Sequence, residues 1–362
     1  MRNFVTVEGR HLLAAMKVAV SVIEKRNSIP ILSAARLNLY PGGLHVIGTD
    51  LDIEATIHVD VMDRSKALDI CVDARALMRI AKSAGRSSLK IEDKDGRAVI
   101  TLDDGPASYD IFAFPVADFP AFAWERGALL ETFSNGSLAA LMAKVKGCIS
   151  KEETRYYLNG IAWAPGSRMM ATDGHRLAIC TYDASEADTP IRIIPRKMVG
   201  VIGSHLSGRD VKVHDAGNNR LDFIAHGVTF RSKSIDGTFP DVLCVIPKSN
   251  ERILSVKKAE IATAIKQAVA IGSENVRCIR LMAEGGKLVI AYDATPFGKA
   301  AIPTSSEWPE GMDTIGFNHN YISNLIDTCG DDIRILMDTR ASPTTILDDD
   351  KQMVRALMPM RV

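Results

Sequence analysis

The sequence predicts an α+β protein of three repeated domains, each with two helices packed on antiparallel sheet. Three observations carry this expectation. At 362 residues the chain exceeds the roughly 250 residues at which single cores stop growing. The triplets Leu89-Lys90-Ile91, Val211-Lys212-Val213 and Ile333-Arg334-Ile335 each set a basic residue between two aliphatics, and they recur at the same interval of 122 residues. A fixed interval is the mark of repeat architecture. Around each triplet, helix-period and strand-period segments follow one another in the same order.

Taken along the chain, residues 1–8 alternate apolar and polar as a strand does. An alanine-rich helical stretch comes next in each unit, at residues 11–23, 137–149 and 260–271. Leu13, Met16 and Val20, and then Leu138, Leu141 and Val145, fall at the 3.6-residue period expected of a buried face. Short alternating runs such as residues 44–47, 98–102 and 287–290 read as strands bounded by Gly, Asp and Asn turns. A strand runs into a turn at Thr49-Asp50, Thr172-Asp173 and Tyr292-Asp293, and a second helix is expected at 72–79, 194–199 and 317–322. The first two units close on Ala117-Asp118-Phe119-Pro120 and Gly237-Thr238-Phe239-Pro240. Domains over 1–125, 126–250 and 251–362 follow, with linkers around 123–131 and 248–254.

Composition narrows the function. With 46% hydrophobic and 24% charged residues, and no run near the roughly 20 apolar residues that cross a bilayer, a soluble globular protein is expected. The N-terminus lacks a secretory pattern, so a cytoplasmic location is expected too. The six cysteines are scattered, which points to reduced core residues rather than a zinc site or disulfide framework. Forty-four basic residues balance forty-four acidic ones, so a nucleic-acid role must rest on where the charges sit. Arg75, Arg79, Lys82 and Arg86 are spaced to lie near one helix face and its exit. Lys144, Lys146, Arg196, Lys197, Lys257, Lys258 and Lys266 also belong to helical segments. Taken singly, each is an ordinary solvated face. Repeated in all three units, they predict one basic surface with a sequence-indifferent, salt-sensitive grip on phosphates. Similar rotation between three successive units bends the chain into an arc, and head-to-tail association of such arcs closes into a ring or runs on as a filament; the ring is the soluble outcome.

Four segments carry a resemblance to a known family. They are Arg26-Asn27-Ser28-Ile29-Pro30-Ile31-Leu32, Thr154-Arg155-Tyr156-Tyr157-Leu158-Asn159-Gly160, Ala171-Thr172-Asp173-Gly174-His175-Arg176-Leu177-Ala178 and Met358-Pro359-Met360-Arg361. Collinear and spread over the whole chain, they resemble the bacterial β sliding clamps, the processivity subunits of DNA polymerase III. The resemblance implies the DNA clamp fold, with two chains joined head to tail into a ring of six domains around duplex DNA. It implies a non-catalytic homodimer without cofactor or metal. A groove between domains 2 and 3 would take short linear motifs from the polymerase III catalytic subunit, the clamp loader and repair proteins. Leu158, Thr172, Gly174, His175, Arg176, Leu177, Pro240, Val245, Met358, Pro359 and Met360 match the groove positions. Arg26, Arg155, Tyr156 and Tyr157 match DNA-facing positions, and Tyr109 and Ile271 match positions facing each other across the subunit boundary. Val242-Leu243-Cys244 stands where relatives often carry an aromatic and arginines, and Val362 where many end in leucine. The neutral charge also departs from the usual acidic balance of relatives.

Two other readings compete with this one. Thr172-Asp173-Gly174-His175-Arg176 could be a catalytic turn with an acid, an imidazole and a stabilising arginine. The chain has no G-x-S-x-G elbow, phosphate loop, H-E-x-x-H or dinucleotide fingerprint beside it. A repeat scaffold that binds only proteins would share the groove but not the aligned basic faces.

Overall fold

The computed structural model describes residues 3–26, 28–120, 127–183, 190–247, 250–272 and 276–361. Asn27, the boundary near residue 125, the start of the first expected linker, Lys248 in the second and the terminal Val362 lie outside the described residues. Six helices are described: α1 (Gly9–Val22), α2 (Ala74–Ala84), α3 (Ser137–Val145), α4 (Arg196–His205), α5 (Lys258–Ala268) and α6 (His319–Asp327). None is long and apolar enough to cross a membrane.

The repeat is visible at the level of single hydrogen bonds. Each expected triplet lies in a strand with its aliphatics buried. That strand pairs antiparallel with the unit's opening strand: Ser88–Lys94 with Asn3–Glu8, Val211–Asp215 with Leu129–Phe133, and Asp332–Met337 with Arg252–Lys257. Where the opening strand turns toward the first helix, a backbone N–H donates to a carbonyl just beyond the second helix: Gly9 to Ser87 at 3.0 Å, Gly136 to Arg209 at 3.1 Å and Lys258 to Asp331 at 2.8 Å. The approach is close enough to require glycine in two cases. A Cβ on Gly9 would lie 2.9 Å from the Ala84 Cβ, and one on Gly136, whose φ is +74°, would lie 2.4 Å from the Gly208 nitrogen.

Several elements differ from the sequence expectation in a physically informative way. The second helices start about two residues later than expected, because Asp69–Asp73, Arg192–Pro195 and Ile315–Asn318 are strands that run directly into them. Caps then set the starts: Asp73 accepts from the Ala76 N–H at 2.6 Å and Asn318 from the Asn320 N–H at 3.0 Å. Gly85, at φ +60°, closes α2. The buried stripe of α1 is Leu12, Ala15, Met16, Ala19 and Val22. Leu13 and Val20 are only half-buried, since the alanines let the helix sit closer to the sheet than its larger side chains suggested. In α3 the stripe is Leu138, Met142 and Val145, with Leu141 half-buried.

The described residues fall into two compact units, residues 1–139 with 200–234, and residues 140–199 with 235–362. The second repeat contributes to both. In the first unit one sheet runs continuously from the opening strand of the second repeat to that of the first, because Val228–Lys233 pairs antiparallel with Ile53–Val59. In the second unit Met353–Leu357 pairs antiparallel with Arg176–Thr181, joining the third repeat to the second in an eight-stranded sheet. A four-stranded sheet completes that unit. Charges buried in these sheets are paired: Arg231 meets Asp222 at 2.6 Å, and Arg355, fully buried, meets Asp348 at 3.3 Å and the Thr328 carbonyl at 2.6 Å.

The expected turns share one chemistry in the first two repeats. The Thr49 hydroxyl donates to the Ile53 carbonyl at 2.9 Å, and the Thr172 hydroxyl to the Arg176 carbonyl at 2.8 Å. Asp50 and Asp173 each accept two backbone N–H groups of their turn. The Tyr292-Asp293 landmark is displaced by one residue. Counting along the ladders, Arg36 lies between Cys71 and Ile47, Ala162 between Ile193 and Met170, and Arg280 between Gly316 and Ala291. Cys71, Ile193 and Gly316 stand at the same distance before their helices. Tyr292 therefore corresponds to Gly48 and Ala171, and the likeness of Tyr-Asp to Thr-Asp is coincidental.

Candidate functional site

Within the second unit the turn of the second repeat, the strand leaving it and the last strand of the third repeat form a cavity of about 280 Å³. Its walls are mainly apolar. Leu177 is buried in a cluster with Leu158, Ile179, Phe239, Val242 and Ala356, which fixes the floor. Met358 and Val245 line the cavity while remaining 41% and 51% exposed, so apolar surface is left uncovered at its mouth. Val245 belongs to a short 3-10 turn, Val242–Val245, capped by the Asp241 carboxylate on the Leu243 N–H at 3.1 Å.

The polar groups are few and held in place. The Asp173 carboxylate accepts from the His175 and Arg176 N–H groups at 2.9 and 3.0 Å and from Arg176 Nε at 3.0 Å. The Arg176 guanidinium also sits 4.4 Å from the centre of the Tyr321 ring, against which His175 stacks at 6.0 Å. Its Nη1 is buried without a hydrogen-bond partner among the described residues, a donor that is costly to leave unmatched. Arg155 lies over Gly174, where a Cβ would stand 2.4 Å from its Nη1. A charge-assisted bond to Glu152 at 2.8 Å raises its affinity for its proton above that of an ordinary arginine. The strand joint carries the wall across the repeats: the Met358 N–H donates to the His175 carbonyl at 2.8 Å.

Of the expected groove residues, Leu158, Thr172, Gly174, His175, Arg176, Leu177, Pro240, Val245 and Met358 line this one cavity. Pro359 and Met360 are half-buried beyond it, and Met360 instead pairs with Gly316, its N–H donating at 2.8 Å. Arg155 and Tyr157, expected on a DNA-facing surface, stand in the cavity wall. Their neighbour Tyr156 is 53% exposed, and Arg26 is exposed beyond α1. Asp241, Val242, Pro343, Ala356 and Leu357 also line the wall. Ala356 and Leu357, adjacent to Met358 in a strand, were within reach of the sequence; Pro343 comes from a remote loop and had no signal.

The basic helix residues divide into two groups. Lys144 is tied to Asp350 at 2.6 Å, Lys257 to Asp332 at 2.6 Å, and Lys258 to the carbonyls of Asp327 and Cys329 at 2.9 and 2.8 Å. Arg79, Lys82, Arg86, Lys146 and Lys266 are exposed, and Arg196, also exposed, belongs with the tied group, its Nη1 donating to the Ser150 carbonyl at 3.2 Å. Burial pushes the thiols of Cys71 and Cys148 up to about 12 and that of Cys329 to about 11, as expected of inert core cysteines. Cys244 differs: it is exposed on the 3-10 turn beside the cavity.

Comparisons with known proteins agree along the whole chain. Family models for the N-terminal, central and C-terminal domains of the DNA polymerase III beta subunit match residues 3–123, 132–241 and 244–361. The beta sliding clamp of Caulobacter vibrioides is 32% identical over 381 residues, covering 99% of both chains. That of Pseudomonas aeruginosa is 28% identical over 365 residues, again covering 99% of both. A crystal structure of the Pseudomonas aeruginosa sliding clamp bound to griselimycin superposes with a TM-score of 0.92 at 27% identity, covering all of both chains. A Caulobacter crescentus clamp structure gives 0.92 at 29% identity, covering 100% of this chain and 99% of the other. With three domain models in order and a relative above 30% identity matched end to end, the chain belongs to the DNA polymerase III beta subunit family, the beta sliding clamps.

Proposed function

We propose that the cavity of the second unit is the peptide groove through which this DNA sliding clamp tethers its partners. The observation that carries the reading is an apolar pocket left uncovered at its mouth by Val245 and Met358, with the Arg176 side chain in its lining. An extended peptide supplies what is missing: aliphatic or aromatic side chains to cover Val245 and Met358, and polar groups for the Arg176 side of the wall. Methionine and aliphatic walls adapt to several sequences, which suits a site shared by polymerase, clamp loader and repair proteins. Pro359 and Met360 act there indirectly, by pinning the chain end that carries Met358.

The clamp is a non-catalytic processivity factor. Three clamp domains, over residues 1–125, 126–250 and 251–362, repeat in a second copy to give a six-domain ring around duplex DNA, with Tyr109 and Ile271 at the subunit boundary. The exposed lysines and arginines of the helices give a phosphate grip that no base sequence governs. Arg26 and Tyr156 suit contact with a strand. Arg155 and Tyr157 extend the groove wall toward that loop, so one segment serves both. The location is the cytoplasm.

Binding of a fluorescent peptide carrying the clamp-binding segment of the polymerase III catalytic subunit tests the groove. Met358→Ala and Arg176→Ala should each weaken it by about tenfold or more, since truncating a central contact typically costs 1–2 kcal/mol or more. Unchanged affinity in both variants, with folding intact, would place the peptide elsewhere.

A further inference from the structure

The cations in the cavity wall are already spoken for, and its acid is not. Three residues of the wall carry a full charge: Arg155, Arg176 and Asp241. Both arginines are met by acids of the chain that do not line the cavity. Glu152 lies 2.7 Å from Arg155 Nη2, and Asp173 lies 3.0 Å from Arg176 Nε. Asp241 has no such counterpart. Its carboxylate accepts the Leu243 N–H at 3.1 Å, which caps the 3-10 turn Val242–Val245, and no lysine or arginine among the described residues pairs with it. The turn it caps, Val242-Leu243-Cys244-Val245, is uncharged. A hydrogen bond from a neutral amide leaves the unit charge of the carboxylate in place, so the mouth of the cavity keeps one uncompensated negative charge. The whole chain has forty-four acidic and forty-four basic residues, so its net charge favours peptides of neither sign. The local carboxylate decides.

We propose that this carboxylate makes the groove select motifs that carry a lysine or arginine beside their apolar anchor, and reject those with an aspartate or glutamate there. The inference rests on the groove reading above and names the class of peptide the groove takes. Position supports it. In a 3-10 turn, residues three apart lie on one side. Val242 and Val245 accordingly both line the cavity, Val242 buried and Val245 exposed. Asp241 caps the start of the same turn and is itself exposed. At a rise of about 2 Å per residue, the turn sets Asp241 roughly 8 Å from Val245. An extended peptide advances about 3.3 Å per residue, so a residue within two places of the one that covers Val245 comes alongside Asp241. A long basic side chain closes the remaining gap. Because the carboxylate is open to water, pairing with it changes affinity a few-fold rather than by orders of magnitude. The apolar anchor supplies the affinity, and Asp241 ranks the partners.

Three versions of the fluorescent polymerase-segment peptide test the selection on the full chain, with lysine, glutamine or glutamate at the positions within two residues of its apolar anchor. Anisotropy is read at about pH 8, above the range in which histidines charge. At low salt the lysine peptide should bind about threefold tighter than the glutamine peptide, and the glutamate peptide about threefold weaker. Raising the salt to about 1 M, where the Debye length falls to about 3 Å, should draw the three affinities together. Asp241→Asn removes the charge but keeps a side-chain acceptor for the Leu243 N–H, and should draw them together at low salt as well. Equal affinities in the parent at low salt, tightest binding by the glutamate peptide, or an order unchanged by Asp241→Asn would overturn the selection and leave standing a groove that binds all three. A chain that binds none of them, or binds them as well after Met358→Ala, overturns the groove reading itself.

Discussion

Arg355 and Arg176 illustrate two fates for an arginine drawn out of water. Arg355 is fully enclosed and saturated, by Asp348, by the Thr328 carbonyl and by the Thr328 hydroxyl at 2.8 Å. Arg176 is enclosed but keeps one nitrogen unmatched. The first arrangement is structural, because removing one partner of a buried pair strands the other. Arg355→Ala should therefore destabilise the chain by about 3–5 kcal/mol in urea denaturation, and Asp348→Asn by somewhat less. A loss below about 1 kcal/mol for Arg355→Ala would mean that water reaches the site and solvates Asp348. At this scale the sequence was partly legible. Thr172, Gly174, His175, Arg176 and Leu177 could be assigned together because one turn carries them. Arg355 could not be distinguished from a surface arginine, since its burial depends on a loop and a helix end remote in sequence.

At the scale of elements, the helices and strands were legible because each repeat restates them, and the errors came where two elements abut without a loop. The strand Asp69–Asp73 passes into α2 with no turn residue between them, and only the Asp73 cap marks the change. Periodicity could not find that boundary; cap chemistry can. Because the Asp73 carboxylate satisfies the Ala76 N–H at a helix start, Asp73→Ala should cost about 1 kcal/mol, and Asp73→Asn or Asp73→Ser much less. Thermal or denaturant unfolding of the three variants would separate capping from charge: equal losses in all three would point to the carboxylate's charge as the stabilising term. The shared second repeat was harder to foresee. Sequence shows where a repeat begins and ends, but the pairing of Val228–Lys233 with Ile53–Val59 and of Met353–Leu357 with Arg176–Thr181 is a choice of sheet edge, and no residue type announces it.

For the whole molecule, equal numbers of acidic and basic residues and a grip on DNA are compatible only if binding depends on a local concentration of cations. The exposed Arg79 and Lys82 of α2 are free to meet phosphate in a way that Lys144 and Lys257, held by carboxylates, are not. Each phosphate contact contributes about −0.9 to the slope of log affinity against log salt on duplex DNA. Replacing Arg79 and Lys82 together by glutamine should flatten that slope by up to about 2 and weaken binding uniformly across sequences. The same replacements made at Lys144 and Lys257 should flatten it far less while lowering folding stability. Encirclement adds a second signature that charge alone cannot produce. Clamp loaded on nicked circular DNA should stay through gel filtration at moderate salt and be lost once the circle is cut, whereas a chain held only by its basic residues would be retained equally on both. Equal retention would leave the phosphate contacts intact as an explanation of binding and remove the ring as an explanation of processivity.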